Sequence, residues 1–217
     1  MELVLLLPVL VMSVVAHEYA HGWVALKQGD DTALRRGRLT LNPVPHLDLF
    51  GSILVPAVLW ASNTGFIFGW AKPVPVDPRN FRTYRRGDIL VSLAGVTANA
   101  LLAAAFTLLL AGLVFAERFA PGFATGFAWL RAGAWFGVLI NLILAVFNLI
   151  PIPPLDGSHL VYHLLPARLG ARYREMGRFG LLILIGIMFL VPEAFRVVLW
   201  PVTALQDVAE AFVRMWA

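Results

Sequence analysis

The sequence predicts an all-α polytopic membrane protein, and its composition and patterning carry that prediction. Of the 217 residues, 59% are hydrophobic and only 14% are charged, and the mean hydropathy is +0.78. These values lie far from those of soluble domains. Three apolar stretches are long enough to cross a membrane as helices: Leu3–Leu26, Ile89–Ala116 and Ala132–Ile150. We expect a single integral membrane domain over residues 1–217, with a core at 1–157 and C-terminal helices at 158–217.

The first apolar stretch contains the five residues His17-Glu18-Tyr19-Ala20-His21. Residues i and i+4 of a helix share a face, so both imidazoles can reach one metal ion. Glu18 adjoins the first histidine, where it can act as a general base toward water. A carboxylate and two histidines are costly inside a membrane helix unless they bind something. The alternative is a helix with satisfied histidines and a surface glutamate, and the apolar context favours the metal site.

The segment after this stretch is too polar to span. The later part of Ala33–Leu41 alternates like a β-strand, and Gly37 would allow a bend or bulge. Phe50–Trp60 is apolar but short for a crossing, and glycines and prolines follow it. We therefore expect a short re-entrant β-hairpin or loop after the first span.

The basic residues test this topology. If Phe50–Trp70 returns to its own side, 13 of the 17 lysines and arginines fall in three segments on one side of the membrane, Lys27–Asp48, Ala71–Asp88 and Ile152–Arg178. Basic loops favour the cytoplasmic side. The net charge of +4 is thus explained by topology, and no nucleic-acid partner is expected. The absence of cysteine excludes disulfides, thiolate metal ligands and a cysteine nucleophile.

The third long stretch ends in Asn148–Gly157, which reads NLIPIPPLDG. Its three prolines end the helix. Broken backbone at membrane depth is tolerated only where it is buried in protein or lines a wet cavity. Asp156 on this break is a candidate third metal ligand, and a loop with a helix cap at the membrane surface is an equally good interpretation. Beyond it, Phe179–Val191 is a shorter apolar stretch, and residues 193–216 alternate like an interfacial or tilted helix.

Other polar residues leave alternatives open. His159 and His163 are also spaced i, i+4, but no glutamate lies between them, so a second metal site is disfavoured. Asn141 and Asn148 are seven residues apart and share a helix face. For Asn141, hydrogen bonding between helices and contact with a substrate are both open.

The motifs HEYAH and NLIPIPPLDG together resemble those of the site-2 protease family of intramembrane zinc metalloproteases, in its compact form without PDZ or CBS domains. Further similar motifs are GRLTLNPVPHLDLFGS at 37–52, GWAKPVPVDP at 69–78 and SLAGVTAN at 92–99. One departure is visible, because Val96 replaces the usual proline of the last motif. Asn99 is retained, so we expect this departure to change helix packing there and not activity.

The resemblance implies an enzyme that hydrolyses peptide bonds within or near transmembrane segments of membrane proteins, in regulated intramembrane proteolysis. It implies one Zn²⁺ held by His17, His21 and Asp156, with Glu18 as general base. Asn148 matches an asparagine implied to hold substrate or stabilise the oxyanion, and Asn141 is a further candidate on the same helix face.

The same resemblance implies a bacterial or archaeal cell membrane, with the site toward the cytoplasmic side. The expected partners are a transmembrane protein or peptide substrate and the lipid bilayer. A non-proteolytic membrane protein that binds or transports metal is the alternative, because intramembrane histidine and aspartate also mark ion pathways. Glu18 disfavours it, since a transporter needs no base beside a two-histidine site.

Overall fold

The computed structural model describes residues 2–62, 70–119 and 124–216, and its regular structure in these ranges is helical. The three long helices are α1 (Glu2–Gln28), α4 (Tyr84–Glu117) and α5 (Ala124–Asn148). The short α2 (Thr32–Arg35) and α3 (Val55–Ala61) lie between α1 and α4. The chain ends in α6 (Gly157–Tyr162), α7 (Ala167–Glu175), α8 (Gly177–Leu190) and α9 (Pro192–Arg214). The all-α prediction is confirmed.

The three long helices are also the candidate membrane spans. By length and hydropathy, the parts that can cross are Leu7–Gln28, Tyr84–Glu117 and Phe127–Asn148. These match the three apolar stretches read from the sequence. The fourth, shorter stretch forms α8, whose apolar part Gly177–Ile187 falls short of a full span.

The core lies where α4 packs between α1 and α5, and α9 lies along α4 and α5. Its buried side chains are mostly small or β-branched: Ala103, Val138, Leu142, Val202 and Ala209 form one cluster, and Leu110, Ala111, Ala134 and Val213 another. Small residues let membrane helices approach closely. The C-terminal segment predicted as an interfacial or tilted helix is therefore packed against the bundle through α9.

Of the two expected forms of the segment after the first span, a β-hairpin or a loop, the structure does not support the β-hairpin. No described residue belongs to a strand, and Thr32–Arg35 is a turn of helix. The backbone N–H groups that a strand would present are used locally: Gly37 donates to the carbonyl of Leu34, and Arg38 donates to that of Ala33. Gly37 lies at φ 63°, the left-handed conformation that closes such a turn. The alternating pattern in Ala33–Leu41 therefore lies in a folded turn and not in a strand.

The return of the chain after residue 49 agrees with the re-entrant path. A π-helix at Leu49–Leu54 continues into α3, and residues 63–69 lie outside the described residues. The N–H of Trp70 donates to the carbonyl of Gly51 at 3.0 Å, and the Ser52 hydroxyl donates to the carbonyl of Trp70 at 2.9 Å. The chain therefore comes back beside the point from which it departed.

The three segments predicted to be cytoplasmic also meet at one end of the bundle. The N–H of Lys72 donates to the carbonyl of His46 at 2.9 Å, and that of Arg82 donates to the carbonyl of Gln28 at 2.8 Å. The guanidinium of Arg174 reaches the hydroxyl of Tyr84 at 2.6 Å. The membrane side on which this end lies, and the division into core and C-terminal helices, stay predictions.

Candidate metal centre

The structure brings His17, His21 and Asp156 together, as the sequence predicted. The two Nε2 atoms are 2.9 Å apart, and the Oδ2 atom of Asp156 lies 3.2 Å from the first and 3.3 Å from the second. One turn of α1 separates the histidines, whereas Asp156 arrives from the loop after α5. Both histidines are buried, so the three donor atoms face one another inside the protein.

Two hydrogen bonds from α4 decide which nitrogen of each histidine is free. The Nδ1 atom of His17 lies 2.6 Å from Oδ1 of Asn99, and the Nδ1 atom of His21 lies 2.7 Å from the carbonyl oxygen of Val91. Both partners are acceptors, so each Nδ1 carries the proton. In the neutral tautomer that these contacts favour, Nε2 is the nitrogen with a free lone pair, and this is the atom that can bind a metal.

A buried network fixes the orientation of Asn99 itself. Its amide nitrogen donates to Oδ1 of Asn141 at 2.8 Å and to the carbonyl of Ser13 at 3.3 Å. Asn141 in turn donates to the Ser13 hydroxyl at 2.9 Å and to the carbonyl of Gly137 at 2.8 Å. Asn99 and Asn141 are fully buried. These contacts favour hydrogen bonding between helices as the role of Asn141, and a substrate contact by it stays a prediction.

The donor set fits a divalent cation. Two imidazole lone pairs and a carboxylate oxygen converge, and Oδ2 of Asp156 is buried without a hydrogen-bond partner among the described residues. Such a convergence is unfavourable unless a positive charge lies between the donors. Gly95 of α4 faces the histidine rings, where even a methyl group would overlap them. Two histidines and one carboxylate are a ligand set of catalytic zinc sites.

The proline loop that carries Asp156 is held by the C-terminal helices. The hydroxyl of Tyr173 on α7 donates to the carbonyl of Pro151 at 2.8 Å. Gly180 on α8 lies so close to the carbonyl of Pro153 that a Cβ would collide with it. α7 and α8 thus set the position from which the third donor is presented.

Glu18 is held by a second loop. Its Oε2 atom accepts a hydrogen bond from the N–H of Val74 at 2.7 Å. Residues 71–77 have no regular secondary structure, and the guanidinium of Arg38 donates to the carbonyl of Lys72 at 2.7 Å. The carboxylate next to the histidine pair therefore has one oxygen fixed by backbone.

Asp30 anchors the far end of this loop. Its carboxylate accepts from the N–H of Asp77 at 2.7 Å and from the amide of Asn80 at 2.8 Å, and it also bonds Thr32. Burial alone raises the pKa of Asp30, but the hydrogen bonds from Thr32, Asn80 and Asp77 lower it overall. The loop that reaches Glu18 is thus tied to an ionised carboxylate just beyond α1.

The remaining predicted residues lie nearby. Asn148 ends α5, and its side-chain amide donates to the carbonyl of Leu144 on the same helix at 2.9 Å. His159 and His163 bond the carboxylate of Asp88, and they are not members of the three-residue donor group. The role of Asn148 toward a substrate stays a prediction.

Sequence reasoning missed the contribution of α4. Asp88, Val91, Gly95 and Asn99 are three or four residues apart and share one helix face. That face contacts both histidines and the segment after Asp156. The spacing of small and polar residues within SLAGVTAN was the available signal, and it was interpreted as helix packing alone.

Comparison with known proteins yields consistent matches. The model of peptidase family M50 matches residues 124–191, which include Asn148 and Asp156 but not the histidine pair of α1. "Putative zinc metalloprotease YwhC" of Bacillus subtilis (strain 168) is 40% identical over 193 residues, covering 88% of this chain and 82% of the relative. "Putative zinc metalloprotease Rip2" of Mycobacterium tuberculosis (strain ATCC 25618 / H37Rv) is 36% identical over 194 residues, covering 87% and 69%. No solved structure shows a significant match.

Proposed function

This chain belongs to peptidase family M50, the site-2 protease family, and from that membership we propose that it hydrolyses peptide bonds within or near transmembrane segments of other membrane proteins. It is a zinc metalloprotease of this family with three helices that can span a membrane. The position of the cleaved bond and a part in regulated intramembrane proteolysis belong to the proposal.

The observation that carries the proposal is the convergence of three metal-donor atoms at the membrane helices. The Nε2 atoms of His17 and His21 and the Oδ2 atom of Asp156 converge within a candidate span and the loop that follows another. An active site at that depth can receive a peptide bond of a membrane-spanning substrate. These three residues would hold the zinc ion, which supplies Lewis acidity toward a carbonyl oxygen and toward water.

Glu18 is the general base in this proposal. It follows His17 directly in the chain, and the N–H of Val74 fixes one of its carboxylate oxygens. The carboxylate accepts a proton from water and later delivers it to the amine of the departing peptide. The substrate carbonyl must first leave its helical hydrogen bond, so local unwinding precedes hydrolysis.

We further propose that the site opens toward the cytoplasm of a bacterial or archaeal cell. The charge distribution supports this orientation, since the three arginine-rich segments meet at one end of the bundle, near α6 and the loop carrying Asp156. The proposed partners are the surrounding bilayer and a transmembrane protein or peptide.

The test compares the natural chain with Glu18→Gln on a model transmembrane substrate in detergent or nanodiscs. The natural chain should cleave it and contain one zinc per chain. Glu18→Gln should retain the zinc and lose cleavage by roughly three or more orders of magnitude if the base is essential. Glu175→Gln, on exposed α7, makes the same change away from the site and should leave both properties unchanged.

Either of two results would contradict the proposal. Cleavage by Glu18→Gln at a substantial fraction of the natural rate, with zinc retained, would remove Glu18 from the mechanism. The second result is a natural chain that binds zinc but hydrolyses no member of a panel of transmembrane substrates and soluble peptides. That result would favour metal binding or transport as the function.

A further inference from the structure

Asp88 is a buried carboxylate that the proposed chemistry does not use. It lies in the first turns of α4 and is 3% exposed. Its two oxygens are each 3.1 Å from Nδ1 of His159, and Oδ2 lies 2.7 Å from Nε2 of His163. The guanidinium of Arg174 approaches the same oxygen at 3.5 Å. All three partners come from the segment that follows Asp156.

That segment begins with a helix that is too short to be stable on its own. α6 has six residues, and helices shorter than about 12 residues are marginal in isolation. Asp156 lies directly before it, and the carbonyl of Asp156 accepts the N–H of His159 at 3.0 Å. Whatever fixes His159 therefore fixes the turn of chain that presents the Asp156 carboxylate.

Arg174 connects α7 to the same carboxylate. Its guanidinium lies 3.5 Å over the ring of Tyr162, the last residue of α6, and donates to the hydroxyl of Tyr84 at the start of α4. The carboxylate of Asp88 is thus the point at which α6 and α7 are joined to α4. Burying this carboxylate is favourable only with such partners.

We propose that Asp88 is a positioning residue for the third metal ligand, acting through His159 on Asp156. α4 then orients all three ligands from one face: His17 through Asn99, His21 through the carbonyl of Val91, and Asp156 through Asp88. This inference rests on the proposed metal centre. It is independent of which peptide bond is cleaved.

The test measures zinc affinity of the full chain in detergent by competition with chelators of graded strength. Asp88→Asn removes the charge and one acceptor, and we expect affinity to fall about 10–100-fold, the usual effect of losing a partner that orients a ligand. Asp207→Asn makes the same change at an exposed position on α9 and should leave affinity unchanged. An unchanged affinity in Asp88→Asn would overturn the inference.

A double-mutant cycle separates positioning from general support of the fold. Asp156→Ala leaves only the weak residual affinity of the histidine pair, which is titrated at high zinc concentration. If Asp88 acts through Asp156, then Asp88→Asn should cause no further loss of that residual affinity. The same loss in both backgrounds would mean that Asp88 supports the two histidines or the fold at large, and would reject the proposed route.

His159 provides a second test if Asp88→Asn does not fold. His159→Ala should weaken zinc binding, and His159→Asn should recover part of it, because the asparagine amide nitrogen can donate from near the place of Nδ1. Equal affinity in both variants and the natural chain would overturn the inference. The natural chain could instead bind zinc through Asp156 and cleave no substrate. That result would reject the protease function but would not contradict the role of Asp88.

Discussion

The Nδ1 atom of His17 lies 2.6 Å from the side-chain oxygen of Asn99, a residue 82 positions away on another membrane helix. Asn99 has no freedom to offer its nitrogen instead, because that nitrogen donates to Asn141 and Ser13. A single buried amide therefore selects the tautomer of the first histidine of HEYAH, with the proton on Nδ1.

Removing this amide should weaken metal binding. We expect Asn99→Ala to lower zinc affinity roughly 10–100-fold, because His17 loses the partner that fixes its ring and its proton. Chelator competition measures the change. Thr97→Ala, at an exposed position of the same helix, is the control. Equal affinities in the two variants would show that the ring of His17 is oriented by other contacts.

We expect the metal site to require glycine at position 95, because there is no room for a side chain there. A Cβ there would overlap the rings of His17 and His21, so Gly95→Ala should reduce the zinc content well below one per chain. Alanine is the better helix former, so the helix content in circular dichroism should not fall. Gly112→Ala, where a Cβ meets no atom within 4 Å, should bind zinc normally. A full zinc complement in Gly95→Ala would contradict the close approach of α4.

The hydrogen bond between Val74 and Glu18 should affect the rate of hydrolysis. Val74→Pro removes the N–H donor, whereas Val74→Ala keeps it and serves as the control. Hydrogen bonds to charged groups contribute about 1.5–3 kcal/mol, so we expect kcat to fall roughly ten- to a hundredfold in the proline variant, with zinc retained. Equal kcat values for the two variants would indicate that the backbone contact does not orient the base.

The third ligand can be separated from the neighbouring histidine pair by metal content. Asp156→Ala should lose zinc and activity, because two donors on one helix leave the site incomplete. The double variant His159→Ala, His163→Ala should still hold one zinc per chain at saturating zinc. The reverse pattern, in which the histidine pair is needed for stoichiometry and Asp156 is not, would place the metal elsewhere.

The re-entrant path predicts that Leu49 and Val76 lie on one side of the membrane. Single cysteines at these positions in the cysteine-free chain can be labelled with an impermeant thiol reagent in sealed vesicles of known orientation. Both should react from the same side, and a cysteine replacing the exposed Phe119 at the other end of α4 should react from the opposite side. Opposite labelling of Leu49 and Val76 would show that the segment crosses.

The sequence was sufficient for the long helices and for the histidine pair because each depends on local pattern. Apolar length identified the three spans, and the i, i+4 spacing identified His17 and His21. The proline-rich break around Asp156 left a ligand and a helix cap equally open, and the resemblance to the site-2 protease motifs selected the ligand. These features need no knowledge of which helices touch.

Contacts between segments that are distant in the chain could not be predicted from local sequence pattern. Asn99 and Asp88 act across the interface between helices, so their partners become visible only when α4 is placed against α1 and α6. The error at Ala33–Leu41 has a related cause: alternation was interpreted as a strand, whereas local hydrogen bonds to Ala33 and Leu34 close a turn. The described residues contain no strand with which an extended segment here could pair.

The separation of the ligands along the chain also has a consequence for biosynthesis. Asp156 follows His21 by 135 positions, so at the usual pace of translation the ribosome reaches it on the order of ten seconds later. During that interval α1 can already lie in the bilayer among other newly inserted proteins. Under the proposed mechanism the third donor and the helices that hold it are still missing at this stage. We therefore expect the nascent chain to hydrolyse no neighbouring membrane protein until synthesis has passed α8.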